Sequence, residues 1–310
     1  MAHRFWSFAV IVVLTGTVLG AQVRVDVRLV NVIATVMDDR GRYISHLAAD
    51  DFLVEEDGRS QKIVHFSQDQ DTPVSIGIVL DTSGSMERKL RTAIDAVERF
   101  AEQLRKDDEI FVITFSSRPV LRQDFTTDRT RLHQSLRRLL ATGGTALYDA
   151  LDEGLRKVRD GTHVKRAILV VTDGQDTGSF RKLDDVVQTI RESELLVYSL
   201  GISPPVYTQR NSTRRDEVDL KVLRTLAESS GGSAFLVSQG PMGPNTQLNR
   251  VLDTIANELR SQYTLGYYPE RADDGRYHRI RVRARAGYDV RARRGYTASG
   301  SLPSTSVDIP

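Results

Sequence analysis

The stretch "VSIGIVLDTSGSM", residues 74–86, decides how the rest of the chain is read. From Val74 to Leu80 it is a short, continuous and mostly apolar run, which predicts a strand buried on both faces. Asp81, Ser83 and Ser85 then set one carboxylate and two hydroxyls at alternate positions of the following turn. Such a trio is either the cap of the next helix or part of a binding site.

Working outward, the same texture recurs in "EIFVITF" (109–115), "RAILVVT" (166–172), "LLVYSLG" (195–201) and "SAFLVS" (233–238), all read as strands. Amphipathic stretches lie between them. Residues 86–104 place Leu90, Ala93, Ile94, Val97, Phe100 and Leu104 on one helical stripe, and similar stripes recur near 129–140, 146–159, 180–193, 218–229 and 246–261. This alternation predicts an α/β domain over 73–262: a doubly wound, mostly parallel sheet with right-handed crossovers. "PVLRQDF" (119–125) follows its neighbour too closely for a helical crossover and is expected to be an antiparallel edge strand.

The flanks have β texture. Val23, Val25, Val27 and Leu29 alternate with polar residues, and the phase then slips to Val30, Val32, Ala34 and Val36. "DFLVEEDGRSQKIVHF" (51–66) reads as two strands joined at Asp57-Gly58, a dipeptide suited to the positive φ angles of a tight hairpin. Beyond 262, "SQYTLGYYP", "YHRIRVRARAG" and "YDVRARRGY" read as strands, the last two as an arginine-rich hairpin. Segments 22–72 and 263–298 are each small for a core of their own, so one discontinuous β-sandwich built from both is expected, with residues 299–310 as a loose tail.

Composition bounds the function classes. The chain has 310 residues, 40% of them hydrophobic and 27% charged, which fits a folded globular protein. With no cysteine there is no disulfide framework, thiolate metal site or cysteine nucleophile. The opening 21 residues, with His3 and Arg4, an apolar run from Phe5 to Leu19, then Gly20 and Ala21, have the layout of a signal peptide, so a secreted or periplasmic protein is expected. An uncleaved membrane anchor is the other reading. Net charge is only +2, but residues 271–298 hold nine arginines against three aspartates, so the basic character is local. "NST" at 211–213 marks an exposed loop.

In a doubly wound sheet, ligands bind beyond the carboxyl ends of the strands where the winding reverses. Three loops qualify: the one with Asp81, Ser83 and Ser85, "TGGTALYD" with Thr145, and "TDGQD" with Asp173. Singly, each reads as a helix cap or a turn. Together they form a set of oxygen donors without Cys or His, which suits a hard cation such as Mg²⁺, with Mn²⁺ or Ca²⁺ as alternatives.

These residues resemble a known family. Asp81-Thr82-Ser83-Gly84-Ser85 is similar to the Asp-x-Ser-x-Ser element of the von Willebrand factor type A domain, and Thr145 and Asp173 match its two later elements in order. The resemblance covers about residues 73–262, and the flanks resemble a group of exported bacterial proteins carrying this domain. It implies a metal-ion-dependent adhesion site. There, Ser83, Ser85 and, in one conformation, Thr145 touch the ion, Asp81 and Asp173 act mostly through water, and an Asp or Glu of a partner protein completes the shell.

Rival readings are weaker. A Mg²⁺-dependent phosphoryl-transfer or hydrolytic enzyme at the same strand ends would want a second close carboxylate and a positioned Lys or Arg, and position 83 is Ser. A Walker loop is missing, and neither Ser83 nor Ser85 has a Gly-x-Ser-x-Gly frame, so no catalytic residue is assigned and no enzyme is expected. The arginine-rich hairpin would suit an acidic polysaccharide or lipid headgroup better than nucleic acid, since export removes most nucleic-acid partners.

Overall fold

The computed structural model describes residues 29–68, 71–203, 218–238, 245–270, 274–285 and 287–298. The expected signal segment, the strand residues before Leu29, the "NST" loop and the tail lie outside them. Among the described residues no helix is long and apolar enough to cross a membrane.

The central sheet has six strands: β5 (Val74–Asp81), β6 (Glu109–Phe115), β7 (Pro119–Thr126), β8 (Lys165–Thr172), β9 (Leu196–Ile202) and β10 (Ala234–Val237). Their order is β10-β9-β8-β5-β6-β7, parallel throughout except for β7, which runs antiparallel at the edge as expected. All eight residues of β5 are buried, because helices cover both faces. Ile76, Ile78 and Leu80 point to one face, where Ala93, Val97 and Phe100 of α1 (Leu90–Gln103) meet Leu252 and Ile255 of α6 (Asn245–Arg260). Val79 points to the other, with α3 (Leu147–Lys157) and α4 (Leu183–Glu192). Gly77 is required on that second face: a Cβ there would lie 2.3 Å from the ring of Phe111. α2 (Arg129–Leu136) ends four residues short of the expected limit, freeing residues 137–146 to form the loop that carries Thr145, and α5 (Leu220–Ser230) packs beside β9.

The flanks build two four-stranded sheets from both ends of the chain. One is β13-β1-β11-β4, with β1 (Val30–Met37), β4 (Ile63–Gln68), β11 (Gln262–Tyr267) and β13 (Asp289–Ala292). The other is β14-β12-β2-β3, with β2 (Phe52–Glu56), β3 (Arg59–Gln61), β12 (Tyr277–Ala284) and β14 (Gly295–Thr297). Val32, Ala34, Phe52, Val54, Tyr263, Leu265 and Ile280 share one core, with Phe66 and Val282 packed against it.

Two expectations need correction. The run after Asp57-Gly58 is not one strand: β3 pairs with β2, and after Lys62 the chain crosses to the opposite sheet, where β4 pairs with β11. The turn itself is as expected, with φ of 49° at Asp57 and 82° at Gly58. The arginine-rich segment is not a hairpin, because β12 lies between β14 and β2 while β13 pairs with β1 in the other sheet. Its arginines are therefore divided. Arg279, Arg281 and Arg283 line the solvent face of β12, with Arg283 paired to Glu55, whereas Arg291 and Arg293 turn toward the central domain.

That inward pair joins the two bodies. Arg291 forms an ion pair with Glu258 of α6, which is fully buried and also accepts from the hydroxyls of Tyr198 at 2.9 Å and Tyr43 at 3.3 Å. Arg293 donates to the carbonyls of Asn31 and Arg191. Removing one member of such a pair strands the other, so Glu258→Ala should cost about 3 kcal/mol in urea unfolding, well above an exposed substitution.

His278 is buried in the sandwich, its Nδ1 2.8 Å from Asp57, its Nε2 2.9 Å from Asp274, and Glu56 3.8 Å away. The Tyr296 ring packs at 5.5 Å. Burial pulls the imidazole pKa down, but the bonds to Asp57 and Asp274 and the charges of Asp274 and Glu56 outweigh it and raise the pKa above the ordinary 6.5. The resulting stabilisation is present in full below about 6.5 and is lost as pH rises through the folded value. The urea midpoint should fall across that window, and His278→Gln should shrink the fall.

Candidate metal centre

β5 and β8 are neighbours in register, Leu80 opposite Val171, so the residues that follow them emerge side by side. The chain winds from β5 toward β6 on one side and later returns to β8 on the other, which makes this the point where the winding reverses. Asp81 and Asp173 are both fully buried there. Asp81 Oδ2 accepts from the Thr172 hydroxyl at 2.6 Å, and its Oδ1 accepts from the Ser83 backbone N–H at 2.8 Å.

Ser83 and Ser85 are within one turn of each other, their hydroxyl oxygens 3.1 Å apart. Neither hydroxyl caps a helix. Ser83 is the N-cap of the 3-10 turn Gly84–Met86 without a side-chain cap bond, and α1 begins later, with Lys89 at its N-cap. The Thr145 loop is laced to this turn by backbone bonds, Gly84 N–H to the Gly143 carbonyl at 3.1 Å and Thr142 N–H to the Thr82 carbonyl at 2.9 Å. Gly143 has a φ of 79°, and a Cβ there would lie 2.9 Å from the Ser117 hydroxyl. The Thr145 carbonyl in turn accepts from Thr177 N–H at 2.8 Å and Gly178 N–H at 3.0 Å, which ties in the third loop. Thr145 is 4% exposed and does not cap α3 either.

The α3 cap is Asp176, whose Oδ1 accepts from Leu147 N–H at 2.8 Å and Tyr148 N–H at 3.3 Å. The two aspartates of "TDGQD" therefore do different things. Asp173 is fully buried and its Oδ1 accepts from Gln175 N–H at 3.3 Å, while Asp176 holds a helix.

Lys89 was not singled out by the sequence reading. It is fully buried, with its Nζ 2.9 Å from Asp173 Oδ2. The available signal was its position: a cation at the start of a helix opposes the helix dipole, which asks for a local anion. Thr172, the support of Asp81, also went unnoticed because threonine at a strand end is unremarkable in sequence.

Electrostatically the crevice is anionic. Burial, then the nearby charge of Asp173, push the Asp81 carboxyl up to about 6. Lys89 balances one of these two carboxylates. The remaining donors are neutral hydroxyls. A desolvated carboxylate beside uncapped hydroxyls fits a hard cation by donor chemistry and by charge.

A doubly wound α/β domain with clustered oxygen donors at its strand ends is thus the class of structure present. Residues 76–175 match the family model of the von Willebrand factor type A domain. An uncharacterized protein of Synechocystis sp. is 28% identical over 173 residues, covering 53% of this chain and 38% of that protein. Mouse inter-alpha-trypsin inhibitor heavy chain H2 is 23% identical over 211 residues, 63% of this chain and 21% of that one. The chain therefore spans less than half the length of these relatives. Among solved structures, proximal thread matrix protein 1 from the mussel byssus, with a zinc-occupied MIDAS motif, superposes with a TM-score of 0.52 at 14% identity, covering 67% of this chain and 50% of that one. At that identity the likeness speaks for the fold.

Because Asp176 holds a helix end rather than facing the crevice, Asp176→Ala should lower stability by about 1–2 kcal/mol, read as a shift in urea midpoint. Cation binding should persist in the folded fraction.

Proposed function

We propose that this is an exported protein-binding module that captures an acidic side chain of a partner protein through a divalent cation. Ser83, Ser85 and Thr145 would supply hydroxyl ligands, with Asp81 and Asp173 behind them. The observation that carries the reading is the convergence of two buried carboxylates with a pair of serine hydroxyls 3.1 Å apart that cap nothing. When bound, the ion supplies a positive charge with room for one further oxygen ligand. Mg²⁺ suits the donor set, with Mn²⁺ and Ca²⁺ as alternative occupants, and Zn²⁺ belongs in the test because the byssus protein holds it.

The residues around the crevice favour a protein partner. Leu140, on the loop that leads to Thr145, is 76% exposed, and Phe180, on the loop after Asp173, is 98% exposed. Large apolar side chains displayed beside an anion-seeking site form the kind of surface that a protein covers. Lys89 is fully buried on Asp173, so it does not offer its charge to a phosphate arriving from solvent, and the reading of the site is binding rather than catalysis. Export is supported by the apolar run from Phe5 to Leu19.

Calorimetry on the full chain, with each cation in turn and with acetate as a carboxylate probe, tests this. Wild type should bind a cation and Asp81→Ala should not. The metal-free variant should melt close to the metal-free wild type, because removal of a desolvated charge is offset by the loss of the acceptor for the Thr172 hydroxyl and the Ser83 N–H. Equal cation binding by both proteins would sink the proposal, as would none by wild type in any condition.

A further inference from the structure

We infer that the buried ammonium of Lys89 makes cation capture conditional on an anionic ligand, by neutralising one of the two carboxylates the crevice offers. This rests on the metal-binding reading above. Lys89 stands at the N-cap position of α1 and is fully buried, an arrangement unfavourable twice over. The helix dipole repels a cation there, and an ammonium out of water is costly unless paired. Asp173 Oδ2, 2.9 Å away and equally buried, is the partner that holds it.

Such a pair seldom stabilises a fold more than apolar side chains of the same volume would. Its effect on the site's charge is larger. Asp81 and Asp173 bring two negative charges and Lys89 one positive, while Ser83, Ser85 and Thr145 are neutral. A divalent ion held by this set keeps one unit of positive charge in a poorly solvated crevice. A carboxylate from a partner balances it, whereas water does not. Cation and carboxylate must then bind with positive coupling, each raising the other's affinity by the same factor. Lys89 touches neither ligand. It acts through Asp173 as a positioning residue, and what it sets is the requirement for the anion.

The test compares full-length wild type with Lys89→Met, Lys89→Gln and Lys89→Arg, titrated with Mn²⁺ in acetate and in chloride of equal ionic strength. In wild type, acetate should tighten Mn²⁺ about tenfold or more. In the Met and Gln variants, Mn²⁺ in chloride should bind roughly tenfold tighter than in wild type, with the acetate factor reduced to about threefold or less. Arg, which keeps the charge, should preserve the wild-type factor. If Met does not fold, Gln carries the comparison, since it keeps a hydrogen-bond donor for Asp173 without the charge. A lysine that served only to hold the fold would change melting but leave the acetate factor alone. Wild-type affinity and an unchanged acetate factor in Met and Gln would overturn the role of Lys89 while leaving the metal centre standing. Failure of every protein to bind Mn²⁺ in either medium would remove both.

Discussion

Strand β5 has to be covered on both faces and still end in a charge. Its eight residues are all buried, including Asp81, and a carboxylate in that position is tolerable only if its oxygens are occupied. Thr172 and the Ser83 backbone supply that occupancy, and each constrains a neighbour. The bond to Thr172 fixes the end of β8 against the end of β5. The bond from Ser83 sets the turn that presents the two serine hydroxyls. The arrangement of the crevice follows from the need to stabilise one desolvated aspartate.

How much of this was legible in sequence depends on the range of the interactions involved. The strands of the central sheet announce themselves because burial on both faces leaves continuous apolar runs, and β7 is readable because its loop is too short for a crossover. Asp81, Ser83, Ser85, Thr145 and Asp173 stand out only as a set, because each alone reads as a cap or a turn while together they are oxygen donors on three loops before helices. Their mutual geometry is long-range, and no local pattern encodes the contact between Lys89 and a residue 84 positions away.

The errors have the same origin. An alternating arginine strand looks alike whether the next strand in sequence pairs with it or crosses to the other sheet, because period two reports only which side faces solvent. In β12 the arginines face water as the alternation implies, yet β13 pairs with β1. Likewise, "RSQKIVHF" keeps strand character throughout, and only the requirement that two sheets enclose one core splits it at Lys62. Asp173 and Asp176 are of one residue type in one loop, and only the structure separates the helix cap from the partner of Lys89, since caps and metal ligands draw on the same side chains.

The sandwich is closed by strands from opposite ends of the chain: the polypeptide leaves it after Gln68 and returns at Gln262, one residue from Tyr263, which pairs directly with Gln68. During synthesis β1 and β4 therefore emerge long before β11, the strand that lies between them in the sheet. Until it arrives, both present open backbone edges to other nascent chains. Closing so distant a contact is entropically cheap only once the intervening residues have already collapsed. Connectivity thereby favours folding of the α/β domain before β11 closes the sandwich.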